Sequence, residues 1–265
     1  MTVVGDVAAL MQAARYDDAL RLLEPLTQEG SSDWNAVYLA GQCCRFQGDL
    51  QRARDYLGRA ANLAPDEPSV WLALGIVHQQ GQEWERAIQA FAHAIEIEPD
   101  YELAYNSLAM TQKMCGQLEE ALDTYEEGAN ALVRRIVKQM VNDRANPILK
   151  HSEWIGQLWL HYAMYGCTYL AAQHGGITSV AWPSGEAAAE EERTERHAGL
   201  YWADTPKEDG LTRLFLPNYF NSVCVALRRS GSYANLIGNR GTVLGLLGRQ
   251  QEADEHFAEA TLFSD

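Results

Sequence analysis

Val70–Asp100 reads VWLALGIVHQQGQEWERAIQAFAHAIEIEPD, and its pattern occurs more than once in the chain. In each half of the stretch apolar residues return at three- and four-residue steps, which marks two amphipathic helices in succession. Phe46–Ala60 (FQGDLQRARDYLGRA) and Met114–Gly128 (MCGQLEEALDTYEEG) follow the same grammar. Aligned on the small residue of the second half, the copies place Ala19, Ala53, Ala87 and Ala121 in one column, and 53−19, 87−53 and 121−87 are each 34. Further columns keep step: Gly41, Gly75 and Ala109; Leu57, Phe91 and Tyr125; Ala60, Ala94 and Gly128; Pro65 and Pro99. Trp71 and Tyr105 place an aromatic near the start of two units. Small residues let paired helices approach closely, and the prolines stop the second helix of a unit.

This pattern resembles the tetratricopeptide repeat (TPR) family over about residues 3–130. The resemblance implies an all-α fold: a right-handed superhelical solenoid of antiparallel helix pairs, about five to six repeats with an irregular insertion. The first unit, with a leading helix expected at about Val4 to Ala14, is short and lacks the early aromatic, as a terminal capping repeat would. Leu246–Ala260 (LLGRQQEADEHFAEA) fits the same columns through Gly248, Ala253, Phe257 and Ala260, with Gly241 ahead of it. Yet 253−121 is 132 where four periods would give 136, so this last unit is out of phase with the first four.

The intervening chain accounts for the slip. No proline ends the second helix of the fourth unit, and apolar residues continue through Leu118, Leu122, Tyr125, Ala129, Leu132, Ile136 and Met140. Ser152–His174 is a long apolar and aromatic helix stopped by Gly175 and Gly176; Ile177–Gly210 mixes Pro, Gly and an acidic run as a loop would; Leu211–Arg229 is helical again. The expected organisation is four units over 1–130, a middle of 131–232 with an excursion at about 175–210, and a C-terminal unit over 233–265. Two readings of the middle stay open: a fifth helix pair split by the excursion, or a separate small helical domain at 130–230.

With 21 basic against 36 acidic residues the formal charge is −15, which disfavours phosphate backbones and anionic lipid as principal partners. No basic lead, apolar stretch and cleavage site opens the chain, and no run is long and apolar enough to span a bilayer. The five cysteines form no C-x-x-C pair and are expected as reduced thiols in a cytoplasmic protein.

The motifs that suggest chemistry weigh less than their structural alternatives. In the acidic run Glu190, Glu191, Glu192 and Glu195 stand near His197, but Glu195 and His197 are two apart, on different helix faces, which suits a solvated surface better than a di-metal centre. His151, His161 and His174 lack metal-ligand spacing. Gly238, Gly241, Gly245 and Gly248 have no preceding strand and no Gly-Lys-Ser/Thr, so they suit helix packing rather than a phosphate loop. Arg134, Arg135, Lys138 and Arg144 form a local basic patch that suits solvation, an acidic partner or the chain's own acidic run. No metal, cofactor or catalytic residue is expected.

The TPR resemblance places the inner helix of each pair along a concave groove. It assigns to that groove Tyr38, Gln42 and Arg45, then Leu72, Ile76 and Gln79, then Asn106, Met110 and Lys113. Relatives that clamp the C-terminal carboxylate of chaperones use two Lys, two Asn and one Arg. The clamp columns here hold Tyr38, Gln42, Leu72, Ile76, Asn106 and Met110, so that clamp is absent. The leading expectation is a non-enzymatic scaffold or adaptor that holds a peptide or helical segment of a protein partner, with neither nucleic acid nor membrane involved. The alternatives are a ligand-responsive regulator whose excursion gates the groove, a groove filled by the chain's own aromatic middle (Trp154, Trp159, Tyr162, Tyr165), and, last, an enzyme.

Overall fold

The structure is a computed structural model that describes residues 3–28, 30–142 and 226–264. The described residues are helical and contain no strand. The expected long aromatic helix, the 175–210 excursion and most of the returning helix lie outside them, as do Cys167, Cys224 and Arg144. Two compact units are formed, Met1–Thr124 and Tyr125–Asp265.

The first unit is a train of helix pairs: α1 (Val3–Gln12) with α2 (Tyr16–Leu23), α3 (Trp34–Gln47) with α4 (Leu50–Leu63), and α5 (Pro68–Gln80) with α6 (Trp84–Ile97). Next come α7 (Glu102–Met114) and the start of α8 (Leu118–Asn142). Local chemistry sets the boundaries. Asp33 and Asp49 accept the backbone N–H of Ala36 and Arg52 at 3.0 and 3.1 Å, capping α3 and α4. Pro68 occupies the first turn of α5, where its missing N–H costs nothing.

One turn recurs inside every pair. The chain passes through a left-handed residue at Ala14 (φ 56°), Gly48 (83°), Gln82 (59°) and Gly116 (87°), successive positions being 34 apart. The next residue's N–H reaches back to a carbonyl five residues earlier: Arg15 to Leu10, Asp49 to Cys44, Glu83 to His78 and Gln117 to Gln112, all between 2.8 and 3.0 Å. This bond closes orphan carbonyls at the helix end. In the third unit the glycine of the sequence, Gly81, stands one residue too early, at φ −81°, and Gln82 carries the left-handed strain.

Between the helices of a pair a small residue receives a bulky one. A Cβ built on Gly41 would lie 2.7 Å from Leu57, and one built on Gly75 would lie 2.5 Å from the Phe91 ring. Leu57, Phe91 and the alanines Ala19, Ala53, Ala87, Ala60 and Ala94 are fully buried. Each large side chain so buried is worth about 2 kcal/mol. Successive pairs are tied by the early aromatics: Trp71 Nε1 donates to the Pro65 carbonyl at 2.7 Å, and the Tyr105 hydroxyl to that of Pro99 at 3.3 Å. The core is thus a file of small clusters, such as Cys44, Ala53, Leu57, Ala73 and Val77, each spanning neighbouring helices only.

The second unit holds α8 from Tyr125 onward, helical residues 226–230, and the pair α9 (Ser232–Leu246) and α10 (Gln250–Phe263). The same grammar returns in that pair. A Cβ on Gly241 would lie 3.0 Å from Phe257, Gly248 is left-handed at φ 78°, and Arg249 N–H reaches Leu244 O at 2.9 Å. Arg240 joins three helices, donating to Glu126 of α8 at 2.7 Å and meeting His256 of α10 at 2.8 Å. α8 runs 25 residues without a break, as the missing proline leads one to expect, and Ala121, Leu122, Tyr125, Ala129, Leu132 and Ile136 are buried along it. Of the basic patch, Arg134 pairs with Glu127 at 3.7 Å.

Two substitutions test these constraints in urea titrations of the whole chain. Gly75→Ala is expected to destabilise by about 1–3 kcal/mol, because the added methyl meets a ring with no room to move. Exchanging the neighbours, Gly81→Gln with Gln82→Gly, is expected to stabilise by about 1 kcal/mol. The composition of the unfolded chain is unchanged, so the gain reports the folded state: relief of the left-handed glutamine against the contacts of a side chain placed 3.4 Å from Arg54.

Candidate partner-binding face

The residues assigned to the groove fall on the first helix of each pair, α3, α5 and α7, and form three rows with the 34-residue period: Tyr38, Leu72 and Asn106; Gln42, Ile76 and Met110; Arg45, Gln79 and Lys113. All are half-buried. On α3 they bond to one another. Gln42 Nε2 donates to the Tyr38 hydroxyl at 2.8 Å, and Arg45 Nε donates to Gln42 Oε1 at 2.7 Å. The Arg45 guanidinium lies 4.1 Å over the Phe46 ring, which stacks in turn on Tyr16 at 5.5 Å. Burial lowers the Arg45 pKa from its ordinary value, against the pull of Tyr38 and Tyr16. Between α5 and α7, Gln79 Nε2 donates to Thr111 Oγ1 at 2.8 Å, and that hydroxyl donates to the Ser107 carbonyl.

The two ends of this face differ in charge. At the N-terminal ends of α5 and α7, burial pushes the Tyr101 phenol up to about 12, and Tyr38, Glu98, Glu102 and Glu67 around it add to the shift. At the C-terminal ends stand Arg45 and Lys113 in the last turns of α3 and α7. Next to them Phe46 and Met114 are 50% and 55% exposed, so large apolar side chains border both cations. Sequence reasoning passed over this pair, although 114−46 is 68, two periods, and the column was there to be found.

The densest ionisable cluster of the first unit is spent on structure. Glu83, at the start of α6, accepts from Arg54 of α4, from His78 of α5 at 3.0 Å and from Arg86 at 3.0 Å. His78 is lowered from its ordinary range by burial first, then by Arg86 and Arg54. Burial also pushes the Cys43 thiol up to about 11 and raises Cys44, away from nucleophilic use. Among the described residues no three His, Cys, Asp or Glu gather as metal ligands, and no helix is long and apolar enough to cross a membrane.

The glycine–aromatic crossing, the left-handed turn and the 34-residue period place the repeats in a known class. Models of the tetratricopeptide repeat match residues 10–76 and 90–123. Over those residues the chain carries tetratricopeptide repeats. Similar relatives include cell division cycle protein 27 homolog A of Arabidopsis thaliana, 26% identical over 91 residues, which are 34% of this chain and 13% of that one. Another is a peroxisomal targeting signal receptor of Kluyveromyces lactis, 32% identical over 98 residues, 37% of this chain and 17% of that one. The matches therefore span less than a fifth of either relative. Among solved structures, a crystal structure of MamA aligns with TM-score 0.46 at 23% identity, covering 49% of this chain and 75% of that one. The TPR domain of Sgt2 from Aspergillus fumigatus aligns with TM-score 0.37 at 16% identity, covering 60% and 93%. Within the TPR array here, the face on α3, α5 and α7 is set by the same period that builds the core.

The His78 site gives a pH signature with a definite sign. The unfolded chain takes up its proton near pH 6.5, whereas the folded, buried imidazole resists it. Stability is therefore lost as pH falls below about 6.5, with a slope of at most about 1.4 kcal/mol per pH unit, until the folded group titrates. Urea midpoints measured from pH 7.5 to 5 are expected to fall more steeply for the natural chain than for His78→Gln.

Proposed function

We propose that this protein is a non-enzymatic scaffold or adaptor that holds a segment of a protein partner on the face formed by α3, α5 and α7. The observation that carries this reading is the row structure: Leu72, Ile76 and Met110 remain half-buried in a soluble-type composition, beside amide and hydroxyl groups already oriented by Tyr38, Gln42 and Arg45. Apolar side chains grouped on adjacent helices gain by meeting a further apolar surface. The fixed polar groups lower the entropy lost when a partner's backbone is bound. A peptide or helix with apolar anchors suits such a face. The TPR relatives support an interaction role, and the formal charge of −15 disfavours nucleic acid and anionic membranes as principal partners.

Affinity capture from native lysate, quantified by mass spectrometry, tests the reading against a Leu72→Asp/Ile76→Asp variant whose folding is first checked by circular dichroism. Where the aspartates unfold the chain, Leu72→Gln/Ile76→Gln replaces them. At least a tenfold loss of a captured protein in the folded variant is expected. Capture that is unchanged by either pair refutes this face as the binding site.

A further inference from the structure

The cations of the first unit are not used alike. Arg15, Arg21, Arg52, Arg54 and Arg86 pair with carboxylates, and Arg59 donates to the backbone carbonyls of Thr27 and Gln28. Arg45 and Lys113 have no carboxylate or carbonyl partner among the described residues. Two cations of the same repeat column without a carboxylate partner among the described residues, in so acidic a chain, are a pattern to be explained. Arg45 is already partly desolvated, so its guanidinium gains more from an added carboxylate than a fully hydrated cation would. Its fork is also held in place, by Gln42 on one side and the Phe46 ring beneath. Phe46 and Met114 leave exposed apolar surface beside the two charges.

We propose that the edge made by the C-terminal ends of α3, α5 and α7 takes an extended acidic segment of a partner protein, one carboxylate on Arg45 and a second on Lys113, with apolar side chains against Phe46 and Met114. This rests on the adaptor reading and adds the chemistry of the partner. Charge complementarity selects the occupant. The opposite edge, with Glu67, Glu98 and Glu102 around Tyr101, repels acids and so fixes which way the segment lies. Spacing follows from the helices. Neighbouring helices pack at about 8–10 Å, so Arg45 and Lys113, separated by α5, stand roughly 16–20 Å apart. An extended chain rises about 3.3 Å per residue, which puts the two acids about five or six residues apart. These cations lie outside the clamp columns of Tyr38, Gln42, Leu72, Ile76, Asn106 and Met110. The two cations stand two repeats apart, so the recognised groups are acidic side chains spaced along a segment. The net negative charge of the whole chain slows the approach of such a segment, and attraction to the two cations is screened by salt.

The test is selection of displayed random dodecapeptides on the full-length chain at about 50 mM salt, followed by affinity measurement on the enriched sequences. Enriched peptides are expected to carry two acids five or six residues apart. They are expected to bind about tenfold more weakly to Arg45→Gln or to Lys113→Gln, roughly a hundredfold more weakly to the double variant, and more weakly at 500 mM salt, with circular dichroism unchanged. Lys113→Gln keeps the test decisive where Arg45→Gln perturbs folding. Enriched peptides without acids, or acidic ones indifferent to both variants, overturn the proposal. Peptides that depend on Leu72 and Ile76 but not on the cations overturn it while leaving the adaptor reading intact; no enrichment at all counts against both. A synthetic peptide of residues 186–197 that binds more tightly than any selected one overturns it in favour of the chain's own acidic run.

Discussion

Where α5 crosses α6, the absence of one methyl group lets the Phe91 ring lie against the backbone at Gly75. That crossing fixes the distance between the two helices, and through it the direction in which every other face of α5 points. Gly75 is taken up by Phe91 and Ala73 and Val77 pack with Cys44, Ala53 and Leu57, while Leu72, Ile76 and Gln79 stay half-buried. The same contact recurs at Gly41 with Leu57 and at Gly241 with Phe257. A packing constraint of atomic size, applied at a fixed interval, thus becomes a row of presented side chains.

Much of this was legible in the sequence because steric requirements leave strong marks. Only glycine or alanine fits the crossing, only a large apolar residue fills it, and both repeat at 34, so the columns could be aligned by eye. The unbroken α8 was equally plain from the missing proline. Other features were hidden for physical reasons. The left-handed position of the third unit falls on Gln82 while the glycine stands at 81, so residue type alone does not mark that turn. Arg134 looked like part of a free basic patch, but the helix brings Glu127 within 3.7 Å, and such pairing depends on side-chain geometry. Phe46 and Met114 were overlooked because an apolar residue near a helix end reads as core until its exposure is known.

Electrostatics divides α3, α5 and α7 in a way that packing does not. The N-terminal ends of α5 and α7 gather carboxylates around a half-buried phenol, and the C-terminal ends of α3 and α7 carry a guanidinium and an ammonium. Each cation in a last turn also sits favourably against the helix dipole, which steadies it by a few tenths of a kcal/mol. That contribution needs no ligand, yet it does not pair the charge. The cluster around Glu83 is the contrast: there three donors converge on one carboxylate and its charge is matched within the repeats.

The residues that close the turns and the crossings are a different set from those that face outward. Gly41, Gly75, the left-handed column and the buried alanines set the scaffold; Tyr38, Ile76 or Lys113 could each be exchanged without touching any of them. Because contacts run only between neighbouring helices, a change on one row is felt in its own repeat and the adjoining ones and not far beyond them. The array can therefore acquire a new preference one repeat at a time, each step passing through a folded protein, so that drift in what it binds is decoupled from the requirement that it fold.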